Sequence, residues 1–125
     1  MFSRNILAHD VNVRRLEAIK PRLQRLGVKN IELTDLVADS DRDFDRFVID
    51  APCTGTGTWR RAPDGKFRLS DGLFKGIVKT QREILETGAV KTKAGGRLIY
   101  ITCSILAEED EQQIDSFLAA HPEFM

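Results

Sequence analysis

The chain has 125 residues, nineteen of them basic and nineteen acidic, so its formal net charge is zero and overall charge offers no attraction to a polyanion. With 42% hydrophobic and 30% charged residues it has the composition of one ordinary soluble domain. No apolar run approaches the roughly 18 residues that cross a bilayer, which excludes a membrane-spanning helix; we expect no targeting segment and a cytoplasmic protein.

In chain order, Asn5 to Ala8 is a short apolar run ending in His9-Asp10, and from Val13 apolar residues recur at Leu16, Ile19, Leu23 and Leu26 with basic residues between them. That pattern predicts a strand and then an amphipathic helix. Pro21 removes a backbone donor inside the helix and predicts a kink, and Gly27 predicts its end. Ile31–Thr34 reads as a second strand and Phe47–Asp50 as a third, with Ala51-Pro52-Cys53 turning out of it. Thr54 to Gly72 reads as one long loop, and loops of that length in compact domains are usually functional or disordered. Leu73 to about Val90 is helical by the spacing of Ile77, Ile84 and Leu85. Gly95-Gly96 predicts a turn, Arg97–Thr102 a fourth strand, and Glu108–Ala119 a last helix whose four leading acids suit the helix dipole.

Strands alternating with helices predict a parallel α/β sheet with its ligands beyond the carboxyl ends of the strands. Asp10, the Asp50-Ala-Pro-Cys53 turn and the Thr102-Cys103-Ser104 turn all fall at such ends. An acid there suits the hydroxyl pair of a ribose, although Asp10 serves equally well as a helix cap. Cys53 and Cys103 are fifty positions apart, yet the fold can bring both to one pocket. They could pair as a disulfide; in a reduced compartment their thiol chemistry matters more. A thiolate is the right nucleophile for a pyrimidine ring, while an isolated cysteine is more often a small buried apolar side chain. Six aspartates between Asp35 and Asp50 face two arginines, whereas five basic residues between Gly55 and Lys75 face two aspartates. Trp59 and Phe67, beside Arg60, Arg61, Lys66 and Arg68, fit phosphate contact with base stacking on a single-stranded or flipped target. His9 and His121 form no metal-ligand spacing with the cysteines, and no metal is expected.

The string from Asp50-Ala-Pro-Cys-Thr-Gly-Thr-Gly-Thr-Trp-Arg-Arg to Asp64, then Gln81-Arg-Glu-Ile-Leu85, then Gly95 to Ser104 with Glu108, Glu109 and Glu111 after it, resembles the NOL1/NOP2/Sun family of RNA (cytosine-5) methyltransferases, in particular its Sun (Fmu) ribosomal-RNA branch. The resemblance implies that Cys103 is the nucleophile that adds to carbon 6 of cytosine, that Cys53 assists release of the methylated product, and that Asp50 contacts the ring. It also implies that Asp10, Asp35, Asp50 and Pro52 hold S-adenosylmethionine, and that the substrate is RNA, ribosomal RNA first.

By the same resemblance the chain is a single catalytic domain over residues 1–125 with a partial Rossmann-like fold. It lacks the family's first strand with its glycine-rich cofactor turn, the upstream RNA-binding domain, and the closing antiparallel strands. Weak binding of S-adenosylmethionine, low activity of the chain alone and self-association through open sheet edges are therefore expected. The alternative is a non-catalytic RNA-binding or assembly remnant of that family.

Overall fold

The computed structural model describes residues 5–37 and 41–125. The chain divides into two compact units, residues 1–41 and residues 42–125.

The first unit consists of β1 (Ile6–His9), α1 (Val13–Arg25) and β2 (Ile31–Thr34). Asn12 caps α1 by accepting the Arg14 N–H, satisfying a donor that has no partner within the helix. The apolar spacing seen in the sequence becomes the inner stripe: Leu16 is buried, with Ile19 and Leu23 half-buried. Pro21 lies within the helix, which runs through it to Arg25. Strands β1 and β2 are parallel, paired from Ile6 with Ile31 to His9 with Thr34.

The second unit consists of β3 (Phe44–Asp50), α2 (Gly65–Arg68), α3 (Asp71–Lys91), β4 (Thr92–Ile101) and α4 (Glu111–Ala120). β3 and β4 are parallel, paired from Arg46 with Arg97 to Asp50 with Ile101. Period-two alternation turns Phe47, Ile49, Ala51, Leu98 and Tyr100 toward α3 and α4. There Ile49, Ala51, Leu85 and Phe117 form the buried core, with Phe47, Ile84, Leu98 and Phe124 packed against it. At the chain's end His121 stacks on Phe117 with ring centroids 4.6 Å apart. Its two ring nitrogens face Glu123 and Glu86 at 3.0 and 2.8 Å. Those two carboxylates raise the imidazole above its ordinary pKa, so this latch is fully formed while the imidazole is charged and the carboxylates are ionised, and weakens as pH rises through the folded imidazole value. Among the described residues no helix is long and apolar enough to cross a membrane.

Four elements depart from the sequence reading. The third strand starts three residues earlier, because Phe44 pairs with Thr92 and packs edge-on against Phe47 at 5.8 Å. The expected Thr54–Gly72 loop contains a 3-10 turn at Thr56–Thr58 and the short α2, and α3 begins at Asp71 because the Ser70 hydroxyl accepts the Leu73 N–H. Gly95 and Gly96 form a bulge inside β4 and no chain reversal. Two steps on β3, from Phe44 to Arg46, oppose five on β4, from Thr92 to Arg97, and Gly95 takes the slack at a φ of +74°. The last helix begins at Glu111, so Glu108, Glu109 and Asp110 precede it and do not form its first turn.

Gly88 lies on the buried face of α3, where a Cβ would meet Leu98 Cδ1 at 2.6 Å, Ile49 Cδ1 at 3.1 Å and Phe47 Cδ1 at 3.3 Å. Gly88→Leu is expected to destabilise the chain by about 1–3 kcal/mol through overpacking, as read by the urea midpoint.

Candidate active site

The parallel pairing of β3 with β4 ends with Asp50 opposite Ile101, and the Ala51 N–H extends the ladder to the Ile101 carbonyl at 2.9 Å. The two chains therefore leave the sheet side by side, and each turns within two or three residues into its cysteine. Cys53 is half-buried and Cys103 exposed. Their sulfurs stand 3.0 Å apart as free thiols, and the Cys103 N–H points at Cys53 Sγ at 3.4 Å. The Cys53 contact, with partial burial and the charge of Asp50 as smaller contributions, pushes the Cys103 thiol above its ordinary pKa. Gly57 follows closely over the second turn: its N–H donates to the Cys103 carbonyl at 3.0 Å. A Cβ there would sit 2.8 Å from that same oxygen, so the approach requires glycine.

Beneath the thiols lies a buried carboxylate that sequence reasoning assigned to a helix terminus. Glu109 is fully buried. It accepts the Thr54 N–H at 2.9 Å, the Thr54 hydroxyl at 2.5 Å, the Ser104 hydroxyl at 2.5 Å and the Gln81 amide at 2.9 Å. Burial alone would raise its pKa, but these donors from Ser104, Thr54 and Gln81 outweigh it and hold the carboxyl below its ordinary value. The network continues outward in two directions. The Ile105 N–H donates to the Thr56 hydroxyl at 2.9 Å, which lies 3.0 Å from that of Ser104. Gln81, also fully buried, donates to the Pro52 carbonyl at 2.9 Å and accepts from Gln113 on α4 at 3.2 Å. Tyr100 donates to the Glu109 carbonyl at 2.9 Å, and burial with the nearby acids keeps that phenol protonated.

Thr54, Ser104, Gln81, Gln113 and Glu109 thus belong to the site, although the sequence reading used Thr54, Ser104, Gln81 and Glu109 only as motif residues, Glu109 also as a helix-leading acid, and did not single out Gln113. One signal was present: Gln81 shares the buried stripe of α3 with Leu85 and Gly88, at helical spacing. A glutamine in an apolar stripe implies a buried hydrogen-bond partner.

The other anticipated residues divide between the units. Asp50 closes β3 as an exposed residue, and Pro52 is exposed with its carbonyl held by Gln81. Arg60, Arg61, Lys66 and Arg68 are exposed on the segment between the 3-10 turn and α3, Arg68 paired with Asp64. Of the two aromatic residues expected to stack on bases, Phe67 is 80% exposed with the Lys66 ammonium 4.8 Å from its ring centroid. Trp59 is half-buried; its indole packs so closely on Gly65 that a Cβ there would stand 2.8 Å from Nε1. In the first unit, Asp10 and Asp35 follow the paired residues His9 and Thr34 and so stand level at one strand edge. Asp10 does not cap α1 directly; its Oδ1 accepts the Asn12 N–H at 2.7 Å, and Oδ2 lies 3.7 Å from Arg15. Asp35 is exposed and borders a cavity of about 490 Å³ lined by Leu16, Leu23, Ile31 and Leu33 together with Glu17, Lys20 and Thr34.

Because Glu109 sits below its unfolded pKa of about 4.3, its contribution to stability is complete above that value and is lost as pH falls through the lower, folded one. Glu109→Gln is expected to cost about 2–3 kcal/mol at pH 7. The gap between wild type and variant should narrow below about pH 4; paired denaturation curves from pH 3 to pH 7 measure both.

The family described as 16S rRNA methyltransferase RsmB/F matches residues 2–125. Proteins named ribosomal RNA small subunit methyltransferase B, from Yersinia pseudotuberculosis and from Yersinia pestis, are each 43% identical over 124 residues, covering 95% of this chain and 29% of their own length. The chain thus spans under a third of these relatives. Among solved structures, NSun6 from Pyrococcus horikoshii with the S-adenosylmethionine analogue SFG superposes with a TM-score of 0.81 at 27% identity, over 93% of this chain and 30% of that one. The methyltransferase homolog protein from the same organism gives 0.76 at 36% identity, over 92% and 36%. A third, PH0851, gives 0.85 at 36% identity, over 94% and 28%. These likenesses identify the α/β framework as part of the Rossmann-like fold of Sun-family methyltransferases, and by a match that reaches from residue 2 to the last residue the chain belongs to the RsmB/F family of 16S rRNA methyltransferases.

Proposed function

We propose that the chain, as one catalytic domain over residues 1–125, is the reacting segment of an RNA methyltransferase that forms 5-methylcytosine, with ribosomal RNA as substrate. Two thiols 3.0 Å apart at the carboxyl ends of paired parallel strands carry this reading. Carbon 5 of cytosine is a poor nucleophile until a group adds at carbon 6. Cys103, the more open of the two thiols, makes that bond as its thiolate, and the ring electrons move to carbon 5 and N3. Asp50, at the end of β3, contacts the ring and supports its activation. S-adenosylmethionine, when bound, supplies the methyl group that carbon 5 takes up. Cys53 assists the closing elimination as base: it takes up the carbon-5 proton, the freed electron pair restores the double bond between carbons 5 and 6, and the bond to sulfur breaks to return the Cys103 thiolate.

By the family resemblance, Asp10 and Asp35 are the residues for the ribose hydroxyls and adenine amine of that cofactor, and Asp50 and Pro52 are further cofactor residues. Arg60, Arg61, Lys66 and Arg68 supply phosphate contacts and Phe67 a stacking face, which compensates for the absence of net positive charge.

The roles separate by mutation. In a chimera that carries this segment in the frame of a full-length relative, Cys103→Ser is expected to abolish methyl transfer. Cys53→Ala should accumulate a covalent protein–RNA adduct visible on a denaturing gel. Full turnover in both variants would overturn the assignment. Arg60→Ala with Arg61→Ala should lower the slope of log affinity against log salt by about 1.4, the release of two counterions from single-stranded RNA; an unchanged slope removes these arginines from the interface.

A further inference from the structure

The thiol pair is formed by two turns that nothing covalent joins. Each is followed at once by a residue that donates to the same carboxylate: Thr54, after Cys53, through both its N–H and its hydroxyl, and Ser104, after Cys103, through its hydroxyl. Glu109 is fully buried and its remaining donor is Gln81, which also holds the carbonyl of Pro52, the residue before Cys53. From this geometry we infer that Glu109 is a positioning residue for methyl transfer, a buried clamp that sets the distance between Cys53 and Cys103 by binding the residues that follow them. This role rests on the reading of the two cysteines as the reacting pair.

The chemistry suits the task. A charge-assisted hydrogen bond is shorter and roughly twice as strong as a neutral one, and a carboxylate offers several acceptor sites on two rigidly connected oxygens. Here Oε1 takes the Thr54 N–H and Gln81, while Oε2 takes the two hydroxyls. A displacement of either turn lengthens bonds to a buried charge, and an uncompensated charge in such a place is costly. A sub-ångström tolerance matters because one thiol must attack the ring and the other must act on the same ring afterwards. Glu109 itself reaches neither ring nor cofactor in this scheme; it acts through the two turns.

The test reads the thiols directly in the whole chain: the pH profile of Cys103 alkylation by iodoacetamide, followed by mass spectrometry, with folding confirmed by circular dichroism in the same buffer. Cys53→Ala fixes the midpoint of a Cys103 freed from its partner, and the wild-type midpoint should lie above it. Glu109→Gln is expected to shift the wild-type midpoint down to that of Cys53→Ala, whereas Phe117→Leu, which loosens the core away from the turns, should leave it in place. A folded Glu109→Gln chain with the wild-type profile, or equal midpoints in wild type and Cys53→Ala, would overturn the clamp. Where Glu109→Gln does not fold, Ser104→Ala decides in the same way: a downward shift supports the clamp and an unmoved profile refutes it. A profile that moves as expected, beside a Cys103→Ser chimera that still methylates RNA, would retain the clamp and remove the catalytic roles.

Discussion

The parallel register of β3 with β4 is the constraint on which the rest of the second unit depends. Asp50 opposite Ile101 fixes where two chain segments leave the sheet, and since successive residues in a strand advance by about 3.3 Å, a slip of one position would separate the cysteine turns by a comparable distance. It would also turn the inward residues of the slipped strand, Ile49 on β3 or Leu98 on β4, out of the core. The pairing that buries the apolar face is therefore the same pairing that aligns the thiols, and fold and site cannot be changed independently.

Register brings the turns level but does not set the last ångström between them. That adjustment falls to polar groups at the sheet edge, where the backbone ladder has ended and Thr54, Thr56, Ser104 and Ile105 have donors to satisfy. Glu109 and the hydroxyl chain through Thr56 and Ser104 take up those donors. Gln81 and Gln113 carry the network into α3 and α4, so the two helices that cover the sheet also hold its reactive edge. A buried carboxylate is a poor source of stability in general; in this place it confers geometry, which an apolar residue of the same size could not.

The first unit presents a simpler arrangement. Two short parallel strands end level, each followed by an aspartate, and α1 lays its one buried leucine and two half-buried apolar residues inward. Asp10 is partly committed to its own chain through Asn12 and Arg15, while Asp35 is open to solvent. The acidic pair is therefore unequal: one carboxylate is held in place and the other faces solvent.

Much of this was legible in the residues alone. The strand at Ile31–Thr34 and the helix from Val13 coincide with the sequence reading because apolar period and capping are local properties, and the cysteine turns were found because each follows a short β-branched run that can only be a strand. Glu109 was misplaced for an equally physical reason. Four consecutive acids before an apolar run satisfy the rule for a helix start whichever of them turns inward, and the choice is made by Thr54 and Gln81, 55 and 28 positions away. Gly95 and Gly96 likewise announce a bend, but whether it reverses the chain or bulges within a strand depends on Phe44 pairing with Thr92 across the sheet. Sequence by itself determined most of the elements and their order, since these follow from neighbours along the chain, and it placed both cysteines just beyond strand ends. Tertiary structure alone decided which acid is buried, how far apart the sulfurs stand and which aromatic ring stays open, since each depends on partners that only folding brings into contact.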